Sequence, residues 1–212
     1  MRPAPVDGSV SWPSDLTVTL SGDERVFSGN NLPGHPTGRF PVEASDDAYQ
    51  YDRNPNSITG QDVAFTLDAA PVVLDTPECA GGSVGYMLTG GYLFNGFDAR
   101  GKDAVAWEVQ DACDGHPQAT GVYHYHSVSS CAEGSSEGGH SELLGYAFDG
   151  FGIYGHYGVD GDALTNEDLD ACHGHTHSIE WDGEPRSMYH YHATYEFPYT
   201  VSCFRGDAIQ VR

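Results

Sequence analysis

The tetrapeptide Tyr-His-Tyr-His occurs twice, as Tyr123-His124-Tyr125-His126 and Tyr189-His190-Tyr191-His192. Tyrosine favours extended backbone, and a strand sends successive side chains to opposite faces. Each copy therefore aims two imidazoles one way and two phenols the other. Same-face residues lie about 6.6 Å apart at Cα, from where two imidazoles can close on one ion at the roughly 2.0–2.1 Å bonds zinc takes. A third histidine precedes each copy in the pattern Asp-Ala-Cys-x-Gly-His, running Asp111 to His116 and Asp170 to His175. The candidate ligand sets are His116, His124 and His126, and His175, His190 and His192. The sets merge into one cluster if the two strands are neighbours. Three imidazoles with an open water position make a catalytic zinc site, and imidazole suits copper equally. Asp111, Asp149 and Asp170 are candidates to orient the ligands from behind. His35, His140 and His173 come next as ligands, and His156 and His177 after them. The competing reading is a hydrogen-bonded core of histidine and tyrosine. Duplicated i, i+2 histidines weigh against it, because packed neutral imidazoles bring many polar atoms that need partners.

These residues are positioned by an internal duplication. Gly91-Tyr92-Leu93-Phe94-Asn95-Gly96-Phe97 resembles Gly145-Tyr146-Ala147-Phe148-Asp149-Gly150-Phe151, then come the two histidine motifs, and Cys131 and Cys203 close the copies. Two copies are too few for a solenoid, so a pseudo-twofold repeat inside one domain is expected. With 27 glycines, 12 prolines and 13 tyrosines, the composition favours short strands and turns over a helix bundle. The fold class expected is mainly β, a disulfide-stapled domain over residues 1–212 with few short helices. It comprises a strand and turn region over 1–90 and repeats at about 91–131 and 145–203. Leu16 to Leu20 and Val63 to Leu67 alternate as strands. Thr165 is a cap for a short helix over Asn166 to Ala171, with Asp168 completing a capping box. Asp160-Gly161-Asp162 offers oxygen ligands for calcium, but its spacing does not match an EF-hand loop, which favours a turn.

Five cysteines stand at 79, 113, 131, 172 and 203. The economical pairing joins Cys113 to Cys131 and Cys172 to Cys203 and leaves Cys79 over. Oxidised bridges imply a secreted, periplasmic or cell-surface protein, with Met1 following a removed export signal. Nine Lys and Arg oppose 31 Asp and Glu, a net charge of -22. Nucleic acid and anionic membrane surfaces are excluded as partners by that charge, and no apolar stretch is long enough to span a bilayer. The sequence carries no phosphate-binding loop.

The chain resembles the YHYH-domain family. The resemblance rests on Gly34 to Pro41, Asn54 to Ile58, Asp111 to His126, His140 to Gly155 and Asp170 to Gly206. It departs at Gly152, where the family usually has proline, and in a longer insertion between His175 and Tyr189. The resemblance implies an exported protein and adds weight to His35 and His140. It implies no particular reaction. The function expected from the residues is a copper- or zinc-binding protein, either a carrier or an enzyme of hydrolytic or copper redox chemistry. Its affinity should fall as pH drops through the ordinary histidine range near 6.5. The alternative is a metal-free module binding an extracellular small molecule or polysaccharide through its tyrosines, or a matrix protein.

Overall fold

The computed structural model describes residues 3–128, 131–132 and 139–211; the expected processing point at Met1 and Arg2 lies outside the described residues. The alternating segments near the N-terminus form a three-stranded antiparallel sheet of β1 (Thr17–Ser21), β2 (Glu24–Gly29) and β3 (Val63–Asp68), in that order. Arg25 and Phe27 of β2 are buried while Glu24 and Ser28 face solvent. The period of two thus selects the core face.

β4 (Glu78–Cys79) pairs only with β13 (Cys203–Phe204). The main sheet has eight strands: β5 (Ser83–Met87), β6 (Tyr92–Phe94), β7 (Gly115–Pro117), β8 (Tyr123–Tyr125), β9 (Leu143–Ala147), β10 (Gly152–Tyr154), β11 (Gly174–Trp181) and β12 (Glu184–His192). Their spatial order is β11-β12-β10-β9-β5-β6-β8-β7. This order reads the same from both ends once the second copy is mapped on the first. β5 and β9 meet antiparallel at the centre, with Tyr86 opposite Tyr146. Outward on each side come an antiparallel, a parallel and another antiparallel pairing. The pseudo-twofold repeat is therefore a property of the sheet.

Strand register corrects the sequence alignment of the copies. Leu93 pairs with Tyr125 and Ile153 with Tyr191, so Leu93 corresponds to Ile153 and Tyr86 to Tyr146. The likeness of Gly91–Phe97 to Gly145–Phe151 is not a structural equivalence: the second unit begins at β9, where residue 145 lies, but the first begins a strand earlier than expected, at β5. The central glycines carry the reason. A Cβ on Gly85 would stand 2.6 Å from the Tyr146 carbonyl oxygen, and one on Gly145 would stand 2.6 Å from that of Tyr86. The register also places β8 and β12 on opposite sides of the axis, so the two Tyr-His-Tyr-His strands are not neighbours.

The three-stranded sheet lies over the centre of the large one. Phe27 meets the edges of Tyr86 and Tyr146, with ring centroids 6.2 and 5.6 Å away, and stacks on Phe65 at 4.6 Å. Buried Arg25 forks onto Asp182 at 3.0 and 2.9 Å and lies over the rings of Tyr146 and Trp181. The one α-helix among the described residues, α1 (Ala104–Trp107), is capped by Asp103 and ends at Glu108, whose N–H donates to the Ala104 carbonyl. The helix expected over 166–171 is a single 3-10 turn at Asn166–Asp168. Thr165 donates from N and Oγ1 to Asp168 Oδ2, both at 2.8 Å. It stops there because Leu169 is extended and Asp170 begins the turn that holds Gly174. Asp160-Gly161-Asp162 is a turn closed by backbone bonds to Gly158. Disulfides join Cys113 to Cys131 and Cys172 to Cys203; Cys79 is free and exposed.

Candidate metal centres

The turn before each Gly-His is organised by an aspartate. Asp111 Oδ1 accepts the N–H groups of Cys113 and Gly115 at 2.9 and 3.2 Å, and its Oδ2 accepts Gly38 N–H at 3.0 Å and the Tyr123 hydroxyl at 2.9 Å. Asp170 repeats the arrangement with Cys172, Gly174 and the Tyr189 hydroxyl at 2.9, 3.1 and 2.9 Å. Glycine precedes the histidine because the first tyrosine of each Tyr-His-Tyr-His lies where a Cβ on Gly115 or Gly174 would stand. The turn, the tyrosine and the histidine are thereby held as one unit.

The phenol face is pinned throughout. Tyr125 Oη meets Thr89 Oγ1 at 3.0 Å and His35 Nε2 at 2.7 Å. The Tyr191 hydroxyl donates to Asp149, which also accepts Arg205 and Gly206 N–H. Asp111, Asp149 and Asp170, expected behind the histidines, thus bond the tyrosines instead, because strand alternation turns the imidazoles to the other face. His35 also belongs to the phenol face, with Nδ1 donating to Pro36 O. His173 sits at positive φ in the position Asp114 holds in the first copy. Its ring bonds His192 O and Asn166 Oδ1, at 2.9 Å each, and so stays out of the cluster.

On the other face the histidines form two groups. In the first, His116 Nε2 lies 3.1 Å from His124 Nε2, which lies 3.2 Å from His126 Nε2. Each Nδ1 faces a backbone carbonyl: Val109 O at 3.0 Å, Val122 O at 3.2 Å and Asn95 O at 2.6 Å. A carbonyl only accepts, so each Nδ1 carries the proton and each Nε2 presents a lone pair. Three lone pairs converge where neutral rings have no proton to share. Burial holds the imidazoles neutral, pushing His116 down to about 3 and His124 and His126 below their usual range; neighbouring rings add to the effect at His116 and His124.

The second group holds His140, His175, His177, His190 and His192, each offering one nitrogen within 4.8 Å of the others. Nδ1 donates to Ser141 O, Ser178 O, Met188 O and Gly155 O at 2.8, 3.0, 3.1 and 2.7 Å for His140, His177, His190 and His192. Nε2 atoms again face one another, at 3.1 Å for His140 with His192 and for His177 with His190. His175 Nε2 is buried with no hydrogen-bond partner. Burial, reinforced by neighbouring imidazoles, pushes His190 down to about 2 and His140 to about 4. His192 falls to about 3, chiefly by burial.

The structure thus separates the two expected triads and adds His140 and His177 to one of them. His177 carries a signal in its spacing, His175-Thr176-His177, the same i, i+2 pattern as His190 and His192. Glu108, outside the sequence expectations, stands beside the first group, its Oε2 3.5 Å from His116 Nε2 and 3.4 Å from His126 Nε2. Burial pushes its carboxyl up to about 7, helped by the charges of Asp98 and Asp52. Its place three residues before Asp111 is mirrored by Glu167 before Asp170, a repeat signal that could have found it. The first group and Glu108 line a cleft of about 510 Å³.

No curated protein and no solved structure matches the chain. A family described as YHYH protein matches residues 39–166, more than half the length and including the first histidine group with Glu108. The chain belongs to the YHYH protein family.

Proposed function

We propose that this chain is an exported protein that binds transition metal ions, copper or zinc, at two imidazole sites: His116, His124 and His126 in one, and His140, His175, His177, His190 and His192 in the other. The observation that carries the reading is the fixed tautomer, in which carbonyls hold every Nδ1 proton that the hydrogen bonds define and Nε2 lone pairs face one another. A metal-free core leaves those lone pairs unanswered and repelling, and burial holds the first group, His140, His175, His190 and His192 toward the neutral form. A cation between them removes both costs. Donors around a tetrahedral zinc lie about 3.3–3.4 Å apart, given its bond lengths; the 3.1 and 3.2 Å separations of the first site are close to this. Imidazole without thiolate or carbonyl oxygen suits zinc and copper(II) rather than calcium.

Two disulfides support an oxidising compartment. The three-histidine site opening on a cleft supports an enzyme of hydrolytic or copper redox type over a carrier. Elemental analysis of protein purified without an affinity tag, after copper or zinc is offered, tests the binding. Two equivalents are expected, falling to one in His116→Ala/His124→Ala and in His175→Ala/His190→Ala/His192→Ala. Less than a tenth of an equivalent in the parent protein overturns the reading.

A further inference from the structure

The two sites stand on equivalent strands and differ in what accompanies the three shared histidines. Gln118 donates its N–H to Val122 O across the first hairpin, at the place where His177 pairs with Met188 in the second. Gln118 is therefore the counterpart of His177. His140 stands three residues before β9, and the residue three before β5 is Ala80. Two imidazoles that complete the second site thus become an amide and a methyl group at the first. What replaces them is open space. Gln118, Phe94 and the carboxylates of Asp52 and Glu108 line the 510 Å³ cleft, and neither lysine nor arginine lines it. Asp98, on the same wall, is already engaged by Arg100 and two backbone N–H groups, which leaves Glu108 and Asp52 to set the charge there.

We propose that the first site is the working site, where the ion keeps an exchangeable position toward the cleft and accepts a small neutral or cationic substrate, while the second site encloses its ion in imidazole. This rests on the metal-binding reading above. Glu108 is held at the end of α1 and touches two of the ligand rings, so it accepts a hydrogen bond from water or from a donor group on the bound molecule. A carboxylate or phosphate ester approaching the same position meets Glu108 and Asp52 as like charges. Five imidazoles at the second site leave no such vacancy.

Cobalt(II), whose visible bands report coordination number, tests the division at pH 8 with two probes, neutral imidazole and anionic azide. In the parent protein loaded with two cobalt ions, imidazole should alter the spectrum with saturation at one imidazole per two cobalt. The variant His175→Ala/His190→Ala/His192→Ala, which leaves the second group only two imidazoles and keeps the first site, should respond alike; His116→Ala/His124→Ala, which keeps the second, should not. Azide should bind at least about tenfold more weakly than imidazole, and Glu108→Gln should recover about tenfold for azide. A response at the second site equal to that at the first, no response at either, or azide binding as tightly as imidazole overturns the proposal. The titration of the parent protein decides the point even if a variant does not fold. Failure to take up cobalt, copper or zinc at all is a separate outcome and overturns the metal-binding reading itself.

Discussion

Acidification from pH 7 to pH 5 separates a buried triad from a superficial one. Three ordinary imidazoles with a pKa near 6.5 would each be almost fully protonated at pH 5, and a metal would have to displace those protons. The displacement costs about 1.5 powers of ten in affinity per ring, or roughly ten-thousandfold or more for three. In this fold burial pushes His116 to about 3 and holds His124 and His126 below their normal range. At pH 5 His116 is neutral before any ion arrives, and the downward shifts at His124 and His126 reduce their share of the loss. Glu108, pushed up to about 7, is the group beside the first site that takes a proton over the interval. If it contacts the ion or its water, it confines the loss to about two powers of ten.

Competition against a chelator of known affinity, run at each pH on the variant that keeps only the first site, measures this directly. Zinc affinity should fall by no more than about a hundredfold between pH 7 and 5, and Glu108→Gln should remove most of that slope. A fall of ten-thousandfold with its midpoint near 6.5, the behaviour expected from the sequence alone, would refute the argument from burial. So would a slope that Glu108→Gln leaves untouched.

Without metal, the same depressed histidines destabilise the fold in acid. Their unfolded pKa lies near 6.5 and their folded values near 2 to 4 for His190, His192, His116 and His140. The unfolded chain therefore binds more protons between those limits. Stability of the metal-free protein should decline as pH falls from about 6.5 toward 3, and a urea titration series should show the midpoint dropping over that window. Tyr123→Phe removes one of four donors to buried Asp111. It should cost about 1–3 kcal/mol in urea unfolding while metal stoichiometry stays at two. Replacing Cys113 and Cys131 together by serine should cost about 3 kcal/mol, seen as a lower Tm, since the bridge closes a loop with a sequence separation of 18.

The histidine face was legible because the period of a strand is local: Tyr-His-Tyr-His needs nothing distant to place both rings on one side. The pairing of Cys113 with Cys131 and of Cys172 with Cys203 was legible for a related reason, since each pair brackets one histidine motif. What escaped was non-local. Strand order decides that β8 and β12 lie apart, and no feature of either tetrapeptide encodes its neighbour. The alignment of the copies failed at Gly91–Phe97 because glycine and aromatic residues recur throughout. The true equivalence rests on two backbones meeting closely at Gly85 and Gly145. Glu108 escaped because its position depends on a one-turn helix packed beside the site, although its counterpart Glu167 shares its spacing.

The aspartates show how the chemistry of a strand is divided between its faces. A metal site requires donors that hold their directions when empty, and two histidines on a short strand have little of their own to stop them turning. The far face supplies the restraint. Tyr123 and Tyr189 are anchored to Asp111 and Asp170, which also organise the Gly-His turns, so one carboxylate fixes both the strand and the third ligand. Tyr125 and Tyr191 are anchored in turn by Thr89 with His35 and by Asp149 with the Arg205 N–H. The carboxylates thus act on the imidazoles through the backbone rather than by touching them. With the foundation kept in both copies, the ligand face was free to change, with Gln118 on one side and His177 on the other. One duplicated scaffold thereby carries a three-histidine group beside a cleft and a five-histidine group.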